Sequence, residues 1–155
     1  MCSSDLRENP LTPLVVSSSY VVLTNFFVSL LFSRASQFNH TKLISLLVEK
    51  GAKVDIHDGE GRSPFLNAVA AGHIDSARVL LKLGADVNAT DLLMKTCVHI
   101  AVENEQLKML SMLLDSRPGT GNLYKADLWD RVPLHYAAKS KDIRVKRSYE
   151  GARCM

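Results

Sequence analysis

Aromatic residues are scarce in this chain, 6% of 155 positions, with a single tryptophan. A core of stacked rings is therefore excluded, and apolar packing must come from the aliphatic residues that raise the hydrophobic share to 46%. That share in turn excludes global disorder. Cysteine is equally sparse. Cys2, Cys97 and Cys154 are odd in number, far apart and without CxxC spacing, which argues against a disulfide framework and against a zinc site. A reducing, cytoplasmic setting fits this usage. The chain also lacks a phosphate-binding glycine loop, a nucleophile elbow and paired carboxylates at a catalytic spacing. Gly119 and Gly121 have no following helix to serve, so the expectation is a protein that is not an enzyme and holds no cofactor or metal.

Charge is missing from one end and concentrated at the other. No charged residue occurs between Glu8 and Arg34, and residues 14–32 are mostly apolar, nearly long enough to span a bilayer. Ser17, Ser18, Ser19, Thr24 and Asn25, with Pro10 and Pro13 ahead of them, speak against a spanning helix. Asp5 and Glu8 beside Arg7 speak against a cleaved signal. A membrane anchor and an apolar cap over the next unit both stay open for this stretch. At the other end, residues 139–155 hold six Lys or Arg against two acids, so most of the formal +3 belongs to what reads as a basic, solvated tail. Charge alone would attract anionic lipid or nucleic acid there, but only Tyr149 interrupts it as an aromatic, and no nucleic-acid partner is expected.

What is present is a repeat. An offset of 33 aligns Gly51-Ala52-Lys53-Val54-Asp55 with Gly84-Ala85-Asp86-Val87-Asn88, Asp58 with Asp91, Ser63 with Thr96, and Ala35 with Ala68 and Ala101. The step from Ala101 to Ala137 is 36, and the extra residues fall in the turn-forming run 117–122. Within each unit Ile44, Leu47 and Val48 correspond to Ala77, Leu80 and Leu81 and to Leu110, Leu113 and Leu114, an i, i+3, i+4 spacing that predicts a buried helical face. Ser63 and Pro64 predict a capped helix start. Gly72 and Gly84 predict left-handed helix ends. Each unit thus reads as turn, short helix, turn, longer helix, and must stack on its neighbours to bury its face.

The run Asp58-Gly59-Glu60-Gly61-Arg62-Ser63-Pro64-Phe65-Leu66, continued through Ala68, Gly72-His73 and Leu80-Leu81 to Ala85-Asp86-Val87-Asn88, resembles the ankyrin consensus, with worn copies at Thr96-Cys97-Val98-His99 and Val132-Pro133-Leu134-His135. Leu66 stands where the family has histidine, Cys97 where it has proline, Val132 where it has the capping hydroxyl, and Asp130 where it has a turn glycine. The resemblance implies an all-α ankyrin-repeat solenoid of three to four helix-turn-helix repeats, the last truncated. Its expected divisions are an apolar segment at 1–27, repeats at 28–57, 58–90, 91–126 and 127–138, and the basic tail at 139–155. More narrowly, the stretch from Leu31-Phe32-Ser33-Arg34 through Leu46-Leu47-Val48 to Val54-Asp55-Ile56 resembles the cytoplasmic ankyrin array of transient receptor potential channels of the ankyrin class. That implies a fragment of such an array, on the cytoplasmic side of a membrane protein. A stand-alone adaptor and an ankyrin protein tethered through 14–32 are the alternatives.

The resemblance also implies protein partners, or neighbouring repeats of a longer chain, bound on a concave face of turn tips and first helices. The variable positions there are Glu60, Arg62 and Ala70, then Leu93, Lys95 and Glu103, then Trp129, Arg131 and Lys139. Trp129 is the leading anchor, with packing against Tyr124 as its plain structural alternative. His99 and His135 occupy the position where the family's imidazole bonds neighbouring backbone, and His40 and His73 sit at turns. Cys97 at a helix start reads either as an activated thiol or as a buried small residue. The spacing of Leu80 to Asn88 resembles the motif of an oxygen-dependent asparaginyl hydroxylase and implies hydroxylation at Asn88, against a plain turn-holding role. Asn39 and Asn88 also match glycan acceptors, which a cytoplasmic chain would never present to that machinery.

Overall fold

The amphipathic segments of the repeat become helices wherever the computed structural model describes the chain, at residues 18–115 and 123–153. Cys2, Cys154, residues 14–17 and the insertion at 117–122 lie outside the described residues. Eight helices occur among the described residues: α1 Ser18–Gln37, α2 Thr41–Glu49, α3 Pro64–Ala71, α4 Ile74–Lys82, α5 Cys97–Glu103, α6 Leu107–Asp115, α7 Pro133–Lys139 and α8 Ile143–Arg153. They form two rows. The inner row runs α1, α3, α5, α7, each packed on the next, and the outer row runs α2, α4, α6, α8 in the same way. This is the ankyrin solenoid, all-α, in which every contact surface belongs to two neighbouring units.

Local chemistry explains the punctuation. Ser63 Oγ accepts the Leu66 amide at 3.3 Å and Pro64 opens α3, so both parts of the expected cap are present. Gly72 ends α3 at φ 79° and Gly84 follows α4 at φ 91°, the left-handed geometry that glycine adopts cheaply. At the position of Gly72, the first and third units place Asn39 at φ 59° and Glu105 at φ 54°. Both side chains bond the next unit: Asn39 Oδ1 accepts the Ser76 hydroxyl at 2.9 Å, and Glu105 Oε1 accepts the Ser140 hydroxyl at 2.7 Å. The strain of a non-glycine left-handed residue is thus offset by a bond across the repeat interface.

One shared core fills the space between the rows. The three expected sets all belong to it, with Ile44, Ala77, Leu80, Leu110 and Leu113 buried and Leu47, Val48, Leu81 and Leu114 packed alongside. Cys97 is fully buried, its thiol donating to the Val87 carbonyl at 3.5 Å, which favours the buried-residue reading over the activated thiol.

Two expectations at the ends are corrected. The fourth unit was expected to stop near residue 138 and residues 139–155 to be a solvated basic tail, yet Ile143–Arg153 forms α8, packed on α6 and α7. Val145 and Tyr149, an i, i+4 pair, are each 1% exposed, and the Tyr149 hydroxyl donates to the Leu123 carbonyl. Interleaved Arg144, Lys146 and Arg147 conceal this short apolar stripe in the sequence. At the other end α1 runs unbroken across residue 27, so the apolar segment and the first inner helix are one element. Phe32, Ala35 and Ser36 face the core, whereas Phe26, Phe27, Leu30 and Leu31 face solvent. Among the described residues no helix is long and apolar enough to cross a membrane.

Candidate partner-binding groove

Three turn tips, at residues 58–62, 91–95 and 127–131, share one construction. An aspartate opens each and its Oδ1 accepts two backbone amides: Glu60 and Arg62 to Asp58 at 2.9 and 3.0 Å, Leu93 and Lys95 to Asp91 at 2.9 Å each, Trp129 and Arg131 to Asp127 at 2.9 Å each. The aspartate amide closes the tip on the carbonyl of the fifth residue, at 3.0 Å for Arg62, 3.2 Å for Lys95 and 3.0 Å for Arg131. The fourth residue is left-handed in all three, as Gly61, Met94 and Asp130. These are rigid fingers whose side chains at the third and fifth positions are aimed by the backbone.

The third finger is braced further by its own inner helix. The Tyr136 hydroxyl donates to Asp127 Oδ2 at 2.6 Å, and Arg131 donates through Nε at 3.2 Å and pairs through Nη2 at 3.1 Å. Burial pushes the Asp127 carboxyl up, but the bonds from Tyr136, from the Arg131 and Trp129 amides and from the Arg131 guanidinium outweigh it, holding the group well below the usual carboxylate range. Burial and the same bond push Tyr136 up to about 12. The Arg131 guanidinium lies 4.5 Å from the Trp129 ring centre and 4.9 Å from that of Tyr136, a cation held between two π faces. Neither Asp127 nor Tyr136 was among the expected site residues. The signal for Asp127 was available, since it is the third copy of the Asp58 and Asp91 alignment once the 36-residue step is allowed.

His99 ties the third unit's inner helix to this finger. Its Nδ1 accepts the Thr96 amide at 3.2 Å, so its Nε2–H donates to the Arg131 carbonyl at 2.9 Å. Burial lowers its pKa, with the Arg131 carbonyl opposing, and the imidazole is a neutral structural link. His135 Nδ1 accepts its own Val132 amide at 3.0 Å. Leu66, in the corresponding position of the second unit, is fully buried and its side chain has no donor for the second finger; ahead of the first finger the Ser29 hydroxyl donates to the His57 carbonyl at 2.8 Å. His73 Nε2 sits 2.9 Å from the Gln37 carbonyl, another link between units.

The expected partner-binding residues divide into two groups. Lys95, Glu103, Trp129, Arg131 and Lys139 converge on one open groove of about 710 Å³ between α5 and α7, with Tyr136 in its wall. Lys95 Nζ meets Glu103 Oε2 at 2.7 Å and lies 5.3 Å from the Tyr136 ring. Trp129 is 52% exposed and stacks on Arg131, while Tyr124, its alternative partner, is itself exposed. The remaining four are elsewhere. Glu60 and Arg62 pair with each other at 2.9 Å on the first finger. The Ala70 carbonyl accepts Asn104 and Gln106 at 3.2 and 3.1 Å, and Leu93 offers its carbonyl to the Leu128 amide at 3.0 Å. Asn88 is exposed, and its amide donates to Asp86 Oδ1 at 2.8 Å, so Asp86 rather than the Asn88 side chain holds this turn. Among the described residues no group of His, Cys, Asp and Glu is arranged to hold a metal ion.

Comparison with known proteins agrees with this architecture. The family profile "Ankyrin repeats (3 copies)" matches residues 22–91. Inversin of the dog is 36% identical over 96 residues, 62% of this chain and 9% of Inversin. The human transient receptor potential cation channel subfamily A member 1 is 30% identical over 120 residues, 68% of this chain and 10% of the channel. The chicken nuclear factor NF-kappa-B p105 subunit is 27% identical over 151 residues, 87% of this chain and 15% of that protein. The chain therefore spans only a small part of the length of each relative.

Proposed function

Because this chain is an ankyrin-repeat protein, and ankyrin repeats generally mediate protein–protein contacts, we propose that it binds a protein partner in the groove between α5 and α7. The observation that carries this reading is the convergence there of Lys95, Glu103, Trp129, Arg131 and Lys139, on a finger held rigid by Asp127. A half-exposed tryptophan stacked on arginine is the type of pair that dominates interface energetics. Preorganisation adds to it, since a braced finger loses little freedom on binding.

A photo-crosslinking residue placed at 139 of the full chain in cells is expected to capture a protein that one placed at Lys82 on the outer row does not. Trp129→Ala is expected to weaken the captured complex by about 2 kcal/mol, roughly thirtyfold. Equal capture from position 82 would sink the groove as the binding face.

The finer assignment we propose is a section of the cytoplasmic array of a transient receptor potential channel of the ankyrin class. It is supported by the 30% identity to the human channel and by 29% over 124 residues to that of the fruit fly. The alternative is a stand-alone adaptor, kept because the identity to Inversin, 36% over a shorter stretch, is higher than to either channel, so that the repeats alone do not single out the channel. Reading transcripts beyond the Met155 codon separates them: six hydrophobic spans are expected for the channel, and a stop codon in every transcript would leave the adaptor.

A further inference from the structure

Two neighbouring fingers leave large apolar side chains in solvent: Leu92, Leu93 and Met94 on the second, Leu128 and Trp129 on the third. The Leu128 amide donates to the Leu93 carbonyl at 3.0 Å and so joins the two tips into one ledge beside the groove. An exposed apolar patch rimmed by polar groups marks an interaction surface. The charges below the ledge are unevenly engaged. Lys95 is paired with Glu103 at 2.7 Å and Arg131 with Asp127 at 3.1 Å, while Glu105 takes the Ser140 hydroxyl at 2.7 Å and the Lys141 amide at 3.2 Å. Lys139 and Lys141 line the same groove, are exposed, and have no ion-pair partner among the described residues.

Resting on the binding function proposed above, we infer that the occupant is an acidic polypeptide segment with a large apolar side chain next to its carboxylates. The apolar side chain covers Leu128 and Trp129, and the carboxylates reach the ammonium groups of Lys139 and Lys141. Glu103 is ion-paired with Lys95, whereas Glu105 is bonded only by neutral donors, so among the described residues one carboxylate and two ammonium groups of the groove are without an ion pair, and the net of these unpaired charges is positive. A nucleic-acid strand is the competing polyanion. It is disfavoured because the aliphatic ledge of Leu92, Leu93, Met94 and Leu128 offers its phosphates nothing, whereas an apolar side chain of a polypeptide covers it.

Two tryptophan-free peptide pools test this on the full chain. One is rich in Asp and Glu with a single Leu or Phe per peptide, and the other replaces every acid with Lys. Trp129 is the single tryptophan of the chain, so its emission reports the groove directly. The acidic pool is expected to bind with a shift of that emission, more weakly as salt rises. Lys139→Glu combined with Lys141→Glu is expected to weaken it on the order of tenfold, with unchanged helix content because both side chains are exposed. Equal binding of the basic pool with the same emission shift would overturn the acidic class while leaving the groove as a binding surface. Tighter binding of a single-stranded RNA oligomer through the same two lysines would overturn the polypeptide. Silence of Trp129 toward every probe would remove both this inference and the binding function beneath it.

Discussion

Phe65→Ala is expected to destabilise the chain by about 3–5 kcal/mol, the cost of emptying a fully buried aromatic site. A domain of this kind has only about 5–15 kcal/mol to lose. The effect should also spread. Phe65 lies on α3, which packs against α1 on one side and α5 on the other, and no unit of a solenoid buries its face alone. The cavity therefore weakens two interfaces, and the urea midpoint followed by circular dichroism should fall for the whole stack. Phe65→Leu, which keeps most of the volume, should cost under about 1.5 kcal/mol. Phe27→Ala supplies the contrast, since Phe27 is 59% exposed and its loss should leave the midpoint nearly unchanged. A Phe65→Ala midpoint as close to the native value as that of Phe27→Ala would mean that α3 is not the keystone of the inner row.

The contrast between these two phenylalanines also measures what the sequence could convey. Phe65 follows a Ser-Pro helix start inside a nearly ideal repeat, so period, cap and burial point the same way. Phe27 belongs to an uncharged, mostly apolar stretch, and no periodicity separates a core face from an exposed one. The structure divides it because α3 packs on the side of α1 that carries Phe32 and Ala35, whereas among the described residues Phe26 stays exposed. The fourth unit was hidden for the opposite reason. Val145 and Tyr149 are just two apolar residues among Arg144, Lys146 and Arg147, and what recruits them is the surface of α6 and α7, a tertiary cause invisible in a local window.

The groove was legible as a set of positions and not as a place. Repeat register identifies which residues face outward from tips and first helices. It does not say that Lys95 and Glu103 meet Trp129 and Lys139 across a repeat boundary that contains an insertion, while Glu60 and Arg62 turn to each other one finger away. Asp127 was overlooked because a turn aspartate looks the same in all three fingers. Only in the third does the inner helix supply a tyrosine at the position that is Asn67 in the second unit and Ile100 in the next. Asn67 Nδ2 donates to Asp58 Oδ2 at 2.8 Å, Ile100 has no donor to offer, and Tyr136 donates at 2.6 Å.

Asp127→Ala is the second change with a large expected effect, about 3–5 kcal/mol, because it strands the groups built around a buried carboxylate. The Tyr136 hydroxyl, the Arg131 guanidinium and the amides of Trp129 and Arg131 all lose their acceptor together. Asp127→Asn should cost less, since an amide oxygen can still accept the two backbone amides, and it isolates the charge. The pH dependence follows from the direction of the shift. The folded pKa lies below the unfolded value of about 3.9, so the stabilisation is fully present above that value and is lost as pH falls through the folded pKa. The stability gap between the native chain and Asp127→Asn should therefore be constant near neutrality and shrink below about pH 4. Tyr136 reports the same bond from the alkaline side: its folded pKa is raised to about 12, so its share persists below its ordinary value of 10.0 and disappears as pH climbs through about 12. Asp142→Asn is the control, because that carboxyl is also lowered by Arg144, but the Arg144 side chain is exposed and the pair should contribute little. A gap that stays constant from neutral pH down to strong acid would show that the ionised carboxylate is not what holds the finger. If the gap closes, Asp127→Asn should also weaken partner binding without any contact of its own, because Trp129 and Arg131 are aimed by the turn that Asp127 ties.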